Sequence, residues 1–306
     1  MRIFVPTLAA HARVLDQDLL EKDVRLHLLL QALAEDEALD RDLIFKGGTC
    51  LIKCYLDYPR FSTDLDFTWR GDAAWLSLGT KALRRAVRPV QRRFLARLEK
   101  LAGAQGFRFS ADRDVQYGQS NRMMTVILHY ESVLRLPGMV KVQANFTEPI
   151  VYKTRAIEAR SLLHGELPPT MRLLDSDIPA RYSRAIRVEA YDPREILAEK
   201  GRAILTRTAA KTRDLLDLYL LEARLGLKLE DHRKAVMRKT MLSISVASRH
   251  RYQLETAEDR FGLLLEEDVK PLLLKPINET QFEEYRVRAV RFLEAVAKEL
   301  RQVATT

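Results

Sequence analysis

The stretch LIFKGGTCLIKCYLDYPRFSTDLDFTW, residues 43–69, decides the fold of this chain. It ends in an apolar segment that carries two aspartates, Asp64 and Asp66, two positions apart. Because side chains alternate along a strand, both carboxylates should face the same side while Leu65 faces the core. Burying a charge is costly unless the charge is paired, so we expect a cation beside these two residues.

A glycine turn precedes the aspartates in the same stretch. The order is a strand (LIFK), a Gly-Gly-Thr turn, a helix (CLIKCYLD) that ends near Pro59, and a second strand (STDLDFTW). Glycines let backbone amides approach phosphate oxygens at the start of a helix, where free N–H groups favour an anion. Paired carboxylates are hard ligands that suit Mg²⁺ or Mn²⁺. A nucleoside triphosphate with a divalent ion meets both needs, which predicts metal-assisted attack on its α-phosphorus.

The sequence around this stretch predicts a sheet with flanking helices. Residues 12–40 carry apolar side chains at three-four spacing, which indicates a helical N-terminal region. Turns are expected near Gly118 and at Pro137–Gly138. Four further strands are predicted, at GFRFSAD (106–112), NRMMTVILHY (121–130), GMVKVQANF (138–146) and RAIRVEAYD (184–192).

Residues 80–103 predict a long basic helix that stops at Gly103. Several of its cations lie three or four residues apart and so share a face. One interpretation is a solvated surface, and the other is a strip that contacts a phosphate backbone, which the net charge of +9 also allows. The cations are Lys81, Arg84, Arg85, Arg88, Arg92, Arg93, Arg97 and Lys100.

The pattern after residue 192 is almost entirely helical. Asp192 suits an N-cap, Pro193 the first helical position and Glu195 the third, and residues 281–302 form an amphipathic helix. We therefore predict an α+β protein with two lobes. A mixed-sheet lobe with its N-terminal helical region spans residues 1–185, and a mainly helical lobe spans residues 186–306.

Composition excludes several classes of protein. With 47% hydrophobic and 30% charged residues, the chain is an ordinary folded protein, and its apolar runs are shorter than the roughly 20 residues that cross a bilayer. No membrane partner and a cytoplasmic location are expected. Cys50 and Cys54 lie four apart on one predicted helix, which favours reduced core packing over a disulfide or a zinc site.

These motifs resemble known enzymes. A glycine turn followed by a paired-aspartate strand is similar to the DNA polymerase β-like nucleotidyltransferase superfamily. The blocks FKGGTCL…RFSTDLDF and AEKGRAIL…KTRDLLDLYLL, in that order, resemble the AbiEii/AbiGii and MenT-like toxins of toxin–antitoxin systems. The resemblance implies a polymerase β-like sheet lobe, a helical bundle, a nucleoside triphosphate substrate and an antitoxin encoded nearby.

The resemblance also implies site residues, position by position. Asp64 and Asp66 would hold the metal, and Lys200 and Asp214 would complete the catalytic set from the second lobe. Nucleotide-binding positions would be Lys46, Gly47, Gly48, Thr49, Arg60, Ser62 and Arg213.

Simpler roles compete with these assignments. Lys200 could be a solvated lysine, although Glu195 and Glu199 are not at the spacing where helical side chains meet. Asp214 could pair with Lys211, and Asp217 with Arg213, on a polar helix face. Arg60 and Ser62 could serve only the turn or the strand start.

One departure from the superfamily concerns a third carboxylate, which usually completes the metal site from a neighbouring strand. Gln143 and Asn145 occupy the expected positions, and neither is a base. Glu131, Glu148 or Asp214 could replace that acid, or the metal could be held more weakly.

The leading functional prediction is a toxin-like, Mg²⁺-dependent nucleotidyltransferase that moves a nucleotide onto RNA, with the 3′ end of tRNA as the acceptor. Transfer to a small molecule or a protein is the alternative within enzymes. A catalytically degenerate nucleotide- or RNA-binding module is the alternative outside them. The nucleotide, the tRNA and the oligomeric state are not specified by the sequence.

Overall fold

The chain forms two compact units in a computed structural model. The structure describes residues 1–71, 73–118, 121–208, 211–246, 248–257, 261 and 273–305. The first unit comprises Met1–Glu148 and Thr154–Tyr191, and the second comprises Pro149–Lys153 and Asp192–Thr306.

The described strands of the first unit form one seven-stranded mixed sheet in the order β3-β4-β5-β2-β1-β7-β6. The β2–β5 and β1–β7 pairs are parallel, and the other pairs are antiparallel. The strands are β1 (Leu43–Lys46), β2 (Asp64–Trp69), β3 (Val115–Gly118), β4 (Met123–Glu131), β5 (Pro137–Asn145), β6 (Arg155–Ala159) and β7 (Ile186–Ala190).

Helices flank this sheet, and α2 packs against β2, β5 and β7. The segment after β1 is helical from Gly47, first as α4 and then as a π-helical turn, Ile52–Leu56. The α-helices of this unit are α1 (Phe4–Ala12), α2 (Gln17–Ala34), α3 (Glu37–Asp42), α4 (Gly47–Leu51), α5 (Thr80–Ala104), α6 (Pro169–Arg172) and α7 (Ile178–Ser183), with a 3-10 turn at Ala73–Ser77.

The core of the first unit lies on one face of the sheet. Burial alternates along β5, and Leu65 of β2 is fully buried between Asp64 and Asp66, which are half-buried. Large apolar side chains from β1, β2 and α5 meet there, among them Phe45, Phe67 and Phe94. The opposite face therefore carries the polar members of the same strands.

The elements described in the second unit are helices. They are α8 (Pro193–Thr206), α9 (Thr212–Leu225), α10 (Arg233–Val246), α11 (Ser248–Glu255) and α12 (Glu279–Thr305), with a 3-10 turn at Glu230–His232. α8 begins as predicted, because Asp192 caps it by accepting a hydrogen bond from the Arg194 amide at 2.9 Å and Pro193 takes the first position.

The α+β class with a mixed sheet is confirmed. The predicted strand at 106–112 is wrong: Arg108 makes an isolated bridge with His129, and the neighbouring strand is β3. Pro137–Gly138 begins β5 instead of forming a turn, and α5 continues past Gly103 to Ala104, with Gly106 adopting a φ of +79° beyond it. The predicted boundary after residue 185 would assign β7 to the second lobe. In the structure β7 belongs to the first unit.

Cys50 is buried and Cys54 half-buried, both as free thiols. Burial raises the pKa of the Cys50 thiol well above its usual range, as expected for a packed, reduced cysteine. Within the parts of the chain that the structure describes, every helix is either too short or too polar to cross a bilayer.

Candidate active site

Asp64 and Asp66 lie on the polar face of β2, where the sheet presents them side by side. β2 pairs with β1 and β5, so Asp66 stands between Lys46 and Gln143, and Asp64 stands opposite Lys141. Residues paired across adjacent strands share a face. The two carboxylates therefore form part of one polar surface, as their spacing predicted.

The position expected for a third carboxylate is occupied by Gln143, directly opposite Asp66. Its amide nitrogen donates a hydrogen bond of 2.8 Å to the Thr125 hydroxyl on β4. A cross-strand row thus runs Lys46, Asp66, Gln143 and Thr125. Gln143 can orient neighbours in this row, but it cannot take up a proton at neutral pH.

Gly47 brings the turn against Asp66. Its φ is +76°, a conformation that side chains with a β-carbon adopt at a cost. A β-carbon added there would overlap the Asp66 carboxylate and lie 2.9 Å from its Cβ. Glycine is therefore required twice at this position, once for the backbone conformation and once for the close approach.

Thr49 and Ser62 join α4 to the start of β2. The buried Thr49 hydroxyl donates to the backbone carbonyl of Asp64 and lies 2.8 Å from the Ser62 hydroxyl. These bonds hold the glycine turn and the aspartate strand in one relative position. The Thr49 side chain therefore fixes the start of β2.

Lys46 ends β1 on the same polar face. Its ammonium lies 3.9 Å from a Glu148 oxygen and 5.7 Å from the centre of the Tyr191 ring. The same Glu148 oxygen accepts a hydrogen bond of 2.7 Å from Asn145. Asn145 at the end of β5 and Glu148, three residues later, thus help to place the lysine.

The other acids proposed as substitutes differ in position. Glu131 pairs with Pro137, six residues along β5 from Gln143, which is about 20 Å at the rise of a strand. That distance excludes Glu131 from the Asp64–Asp66 pair. Among the residues described, no group of three or more Asp, Glu, His or Cys side chains is arranged to hold a metal ion. Glu148, by contrast, lies 3.9 Å from Lys46, which is paired across the strands with Asp66.

Arg60 is buried just before β2. Its guanidinium donates a hydrogen bond of 2.5 Å to the carbonyl of Phe61. This contact supports the chain where it enters the strand, which is the structural role that the sequence left open.

Lys200 lies in the second unit, in a buried cluster on α8 and α9. Its ammonium is 2.8 Å from Asp214 and 2.6 Å from Asp217. The second oxygen of Asp214 is 2.6 Å from Arg207. Both aspartates of α9 therefore contact Lys200 of α8, a pairing between two helices.

The charges in this cluster set the ionisation of Asp214. Burial raises the pKa of its carboxyl, but Lys200 and Arg207 lower it by more, with a further contribution from Arg213, so that the value is about 2. Asp214 is therefore a firmly ionised partner for Lys200. A carboxylate with so low a pKa is a poor general base.

Further buried contacts fix the position of α8. Glu195 accepts hydrogen bonds from the amides of Val151 and Tyr152 at 2.9 and 2.8 Å and pairs with Lys239 of α10 at 2.7 Å. A β-carbon at Gly201 would meet Val236 at 3.0 Å, so this glycine allows α8 and α10 to pack closely.

The residues predicted from the sequence thus fall into two groups. Lys46, Gly47, Gly48, Thr49, Arg60, Ser62, Asp64 and Asp66 lie within the first unit, and Lys200, Arg213 and Asp214 lie on α8 and α9 of the second. Sequence reasoning did not single out Lys141, although the alternation of VKVQAN places it on the face of Gln143. Nor did it find Arg207, which carries no local signal because its partner belongs to another helix.

A glycine turn held against paired carboxylates on a mixed sheet is the arrangement of a nucleotidyltransferase. A family model described as nucleotidyl transferase AbiEii toxin, type IV toxin–antitoxin system, matches residues 28–304. The chain belongs to this family of nucleotidyltransferase toxins.

A solved structure agrees with the fold. MenT4, a nucleotidyltransferase toxin from Mycobacterium tuberculosis H37Rv, is similar with a TM-score of 0.51 and 20% sequence identity, covering 98% of this chain and 99% of that one. No curated protein sequence matches.

Proposed function

We propose that this toxin transfers a nucleotide from a nucleoside triphosphate to RNA, with the 3′ end of tRNA as acceptor. In this reaction the acceptor hydroxyl forms a bond to the α-phosphorus, the bond from that phosphorus to the bridging oxygen breaks, and pyrophosphate and a proton are released. The observation that carries the proposal is the contact of Gly47 with Asp66, beside Asp64 on the same face.

The carboxylate pair fits the divalent ion that nucleotidyltransferases use. Mg²⁺ is commonly held by one or two carboxylates together with substrate phosphates, so two aspartates next to a glycine turn are a suitable donor set. Mg²⁺ or Mn²⁺ bound to Asp64 and Asp66 would supply charge neutralisation at the phosphates. Because Gly47 has no side chain, its backbone comes close to the Asp66 carboxylate. Phosphate binding by a glycine turn depends on the same close approach to the backbone.

The other residues receive supporting roles in this proposal. Lys46 offers a positive charge to the phosphates next to Gly47 and Gly48, while Thr49, Ser62 and Arg60 hold the turn and β2 in place. Lys200 contacts the triphosphate, as the family resemblance implies. Asp214 and Asp217 position its ammonium, and the low pKa of Asp214 argues against its serving as the missing base.

The experiment is incubation of the protein with each labelled nucleoside triphosphate, Mg²⁺ or Mn²⁺, and total RNA. Label in tRNA-sized RNA supports the proposal. Label only in protein or small molecules, or nucleotide binding without transfer, would replace it with one of the two alternatives.

The Asp66→Ala variant tests the site itself. We expect transfer to fall below detection while the circular dichroism spectrum and melting temperature stay close to those of the wild type, because the side chain lies on the half-exposed face. Asp112→Ala, at an exposed turn before β3, is the matched control and should transfer normally. Full activity of Asp66→Ala would remove the metal-site assignment.

A further inference from the structure

The exposed side of α5 carries a row of cations that the proposed chemistry does not use. The helix buries one face, made of Leu83, Val87, Gln91, Phe94, Leu98 and Ala102. Five exposed basic residues follow one another along a side of the helix that lies roughly 100° around its axis from the centre of the buried face, and we name them the α5 basic stripe: Lys81, Arg84, Arg85, Arg88 and Arg92. At 3.6 residues per turn they fit within an arc of roughly 100°, and they extend over about 16 Å of helix.

The remaining basic residues of α5 differ in their surroundings. Arg93 and Arg97 lie toward α3 and pair with Asp42 and Asp36 at 3.3 and 2.6 Å. These pairs fasten α5 to α3. In contrast, no member of the α5 basic stripe forms an ion pair with a carboxylate in the described part of the chain.

The basic residues of this helix are therefore not equivalent, because two of them fasten it to α3, five face solvent as a row, and Lys100 is exposed outside that row. Like charges three or four residues apart on a helix repel each other and destabilise it. A polyanion that spans the row would remove this repulsion and release its own counterions. Glu99, about two turns beyond Arg92 on the same side of α5, is acidic and so ends the row of cations.

We propose that the α5 basic stripe binds the phosphate backbone of the RNA acceptor. This inference rests on the proposed function and adds to it the surface that holds the acceptor. Arginine is well suited to this task because its planar guanidinium binds phosphate oxygens in pairs. Contacts of this kind position an RNA without reading its sequence, so the stripe contributes affinity while the site on β1 and β2 performs the transfer.

The test compares two variants with the same change of net charge. The stripe variant replaces Arg84, Arg85, Arg88 and Arg92 with Gln. The control variant replaces four exposed arginines scattered over the first unit and without ion pairs in its described part, namely Arg2, Arg13, Arg135 and Arg187, with Gln. Binding of labelled total tRNA is measured by fluorescence anisotropy over a range of salt concentrations, and transfer is measured over a range of tRNA concentrations.

The stripe variant should bind tRNA at least tenfold more weakly than the control at physiological salt. Its slope of log affinity against log salt should be shallower by about 3, because about 0.7 counterions are released per phosphate contact to a single strand. Its transfer rate at saturating tRNA should equal that of the wild type. The Arg85→Gln, Arg92→Gln double variant should show about half the change in slope and serves if the quadruple variant fails to fold.

Two results would overturn the inference: equal losses in the stripe and control variants, or unchanged tRNA binding by the stripe variant. Each of these leaves wild-type transfer in place. Absence of transfer to any RNA by the wild type would instead overturn the proposed function, so the two failures are distinguishable.

Discussion

At the scale of single residues, the site depends on how closely two backbone segments approach. Gly47 lies against the Asp66 carboxylate, and the Thr49 hydroxyl is bonded to the backbone of Asp64. These contacts link the end of β1 to the start of β2. A shift of about 1 Å in reacting groups can reduce a rate by a factor of roughly 100, so the geometry of this contact matters for transfer.

The Gly47→Ala variant tests this contact. We expect nucleotide transfer to fall at least 100-fold, because the added methyl group displaces Asp66. Gly106→Ala is the matched control: Gly106 has a similar φ of +79°, but nothing lies within 4 Å of an added β-carbon. The backbone conformation should cost each variant about 1–2 kcal/mol of stability, measured by urea unfolding, and Gly47→Ala should lose more because its methyl group overlaps Asp66, while only Gly47→Ala loses transfer. Equal activity in the two variants would show that the contact with Asp66 is unimportant.

At the scale of helices and strands, buried ion pairs fix α8 against its neighbours. Lys200 joins α8 to Asp214 and Asp217 of α9, and Glu195 joins α8 to Lys239 of α10. Removing one partner of such a pair leaves a buried charge alone, which typically costs about 3–5 kcal/mol. These pairs hold the lysine ammonium in one place between α8 and α9.

The pH dependence of stability tests the Lys200–Asp214 pair. The pKa of Asp214 is lowered from 3.8 to about 2 in the folded protein, so the stabilisation is complete well above pH 4 and is lost as the pH falls through 2. At pH 6 the depressed pKa corresponds to about 2 kcal/mol, and roughly 1 kcal/mol of that should be gone at pH 3. The stability difference between wild type and Asp214→Asn should shrink accordingly between these two pH values in urea unfolding.

The exposed Asp231→Asn variant is the control for this experiment. Its stability difference from the wild type should be small at both pH values. If the Asp214→Asn difference stayed constant from pH 6 to pH 3, the ion pair would not contribute as described.

At the scale of the whole molecule, membership of a toxin family connects the site to an effect on the cell. The family model spans both units, from residue 28 to residue 304, and the family belongs to type IV toxin–antitoxin systems. A cognate antitoxin and a nucleotide substrate follow from that membership. The net charge of +9 favours a polyanionic target at this scale.

Controlled expression in a bacterial host tests the link between the reaction and toxicity. We expect the wild-type protein to arrest growth and the Asp66→Ala variant to permit it at equal protein levels, checked by immunoblot. Total tRNA isolated from arrested cells should carry extra 3′ nucleotides when sequenced. Equal arrest by both proteins would separate toxicity from nucleotide transfer.

Local patterns in the sequence predicted several elements correctly. The alternation of Asp64, Leu65 and Asp66 identified β2 and its two faces, and Asp192 with Pro193 identified the start of α8. The strand predicted at 106–112 is wrong because the strand that pairs with β4 is β3, and Arg108 makes only an isolated bridge to β4. β6 was missed because most of its side chains are exposed. An edge strand of this kind has little apolar alternation to reveal it.

By itself the sequence determined the glycine turn, the same-face aspartates and the helical character of the described residues after 192, because each depends on neighbours within a few residues. Only the tertiary structure decided the partners: Gly47 with Asp66, Gln143 beside that aspartate, and Lys200 with Asp214 and Asp217. The division between structural and solvent-facing cations on α5 was decided in the same way. The physical reason is that strand register and helix packing bring together residues distant in the chain, and a local pattern carries no information about which distant residue arrives.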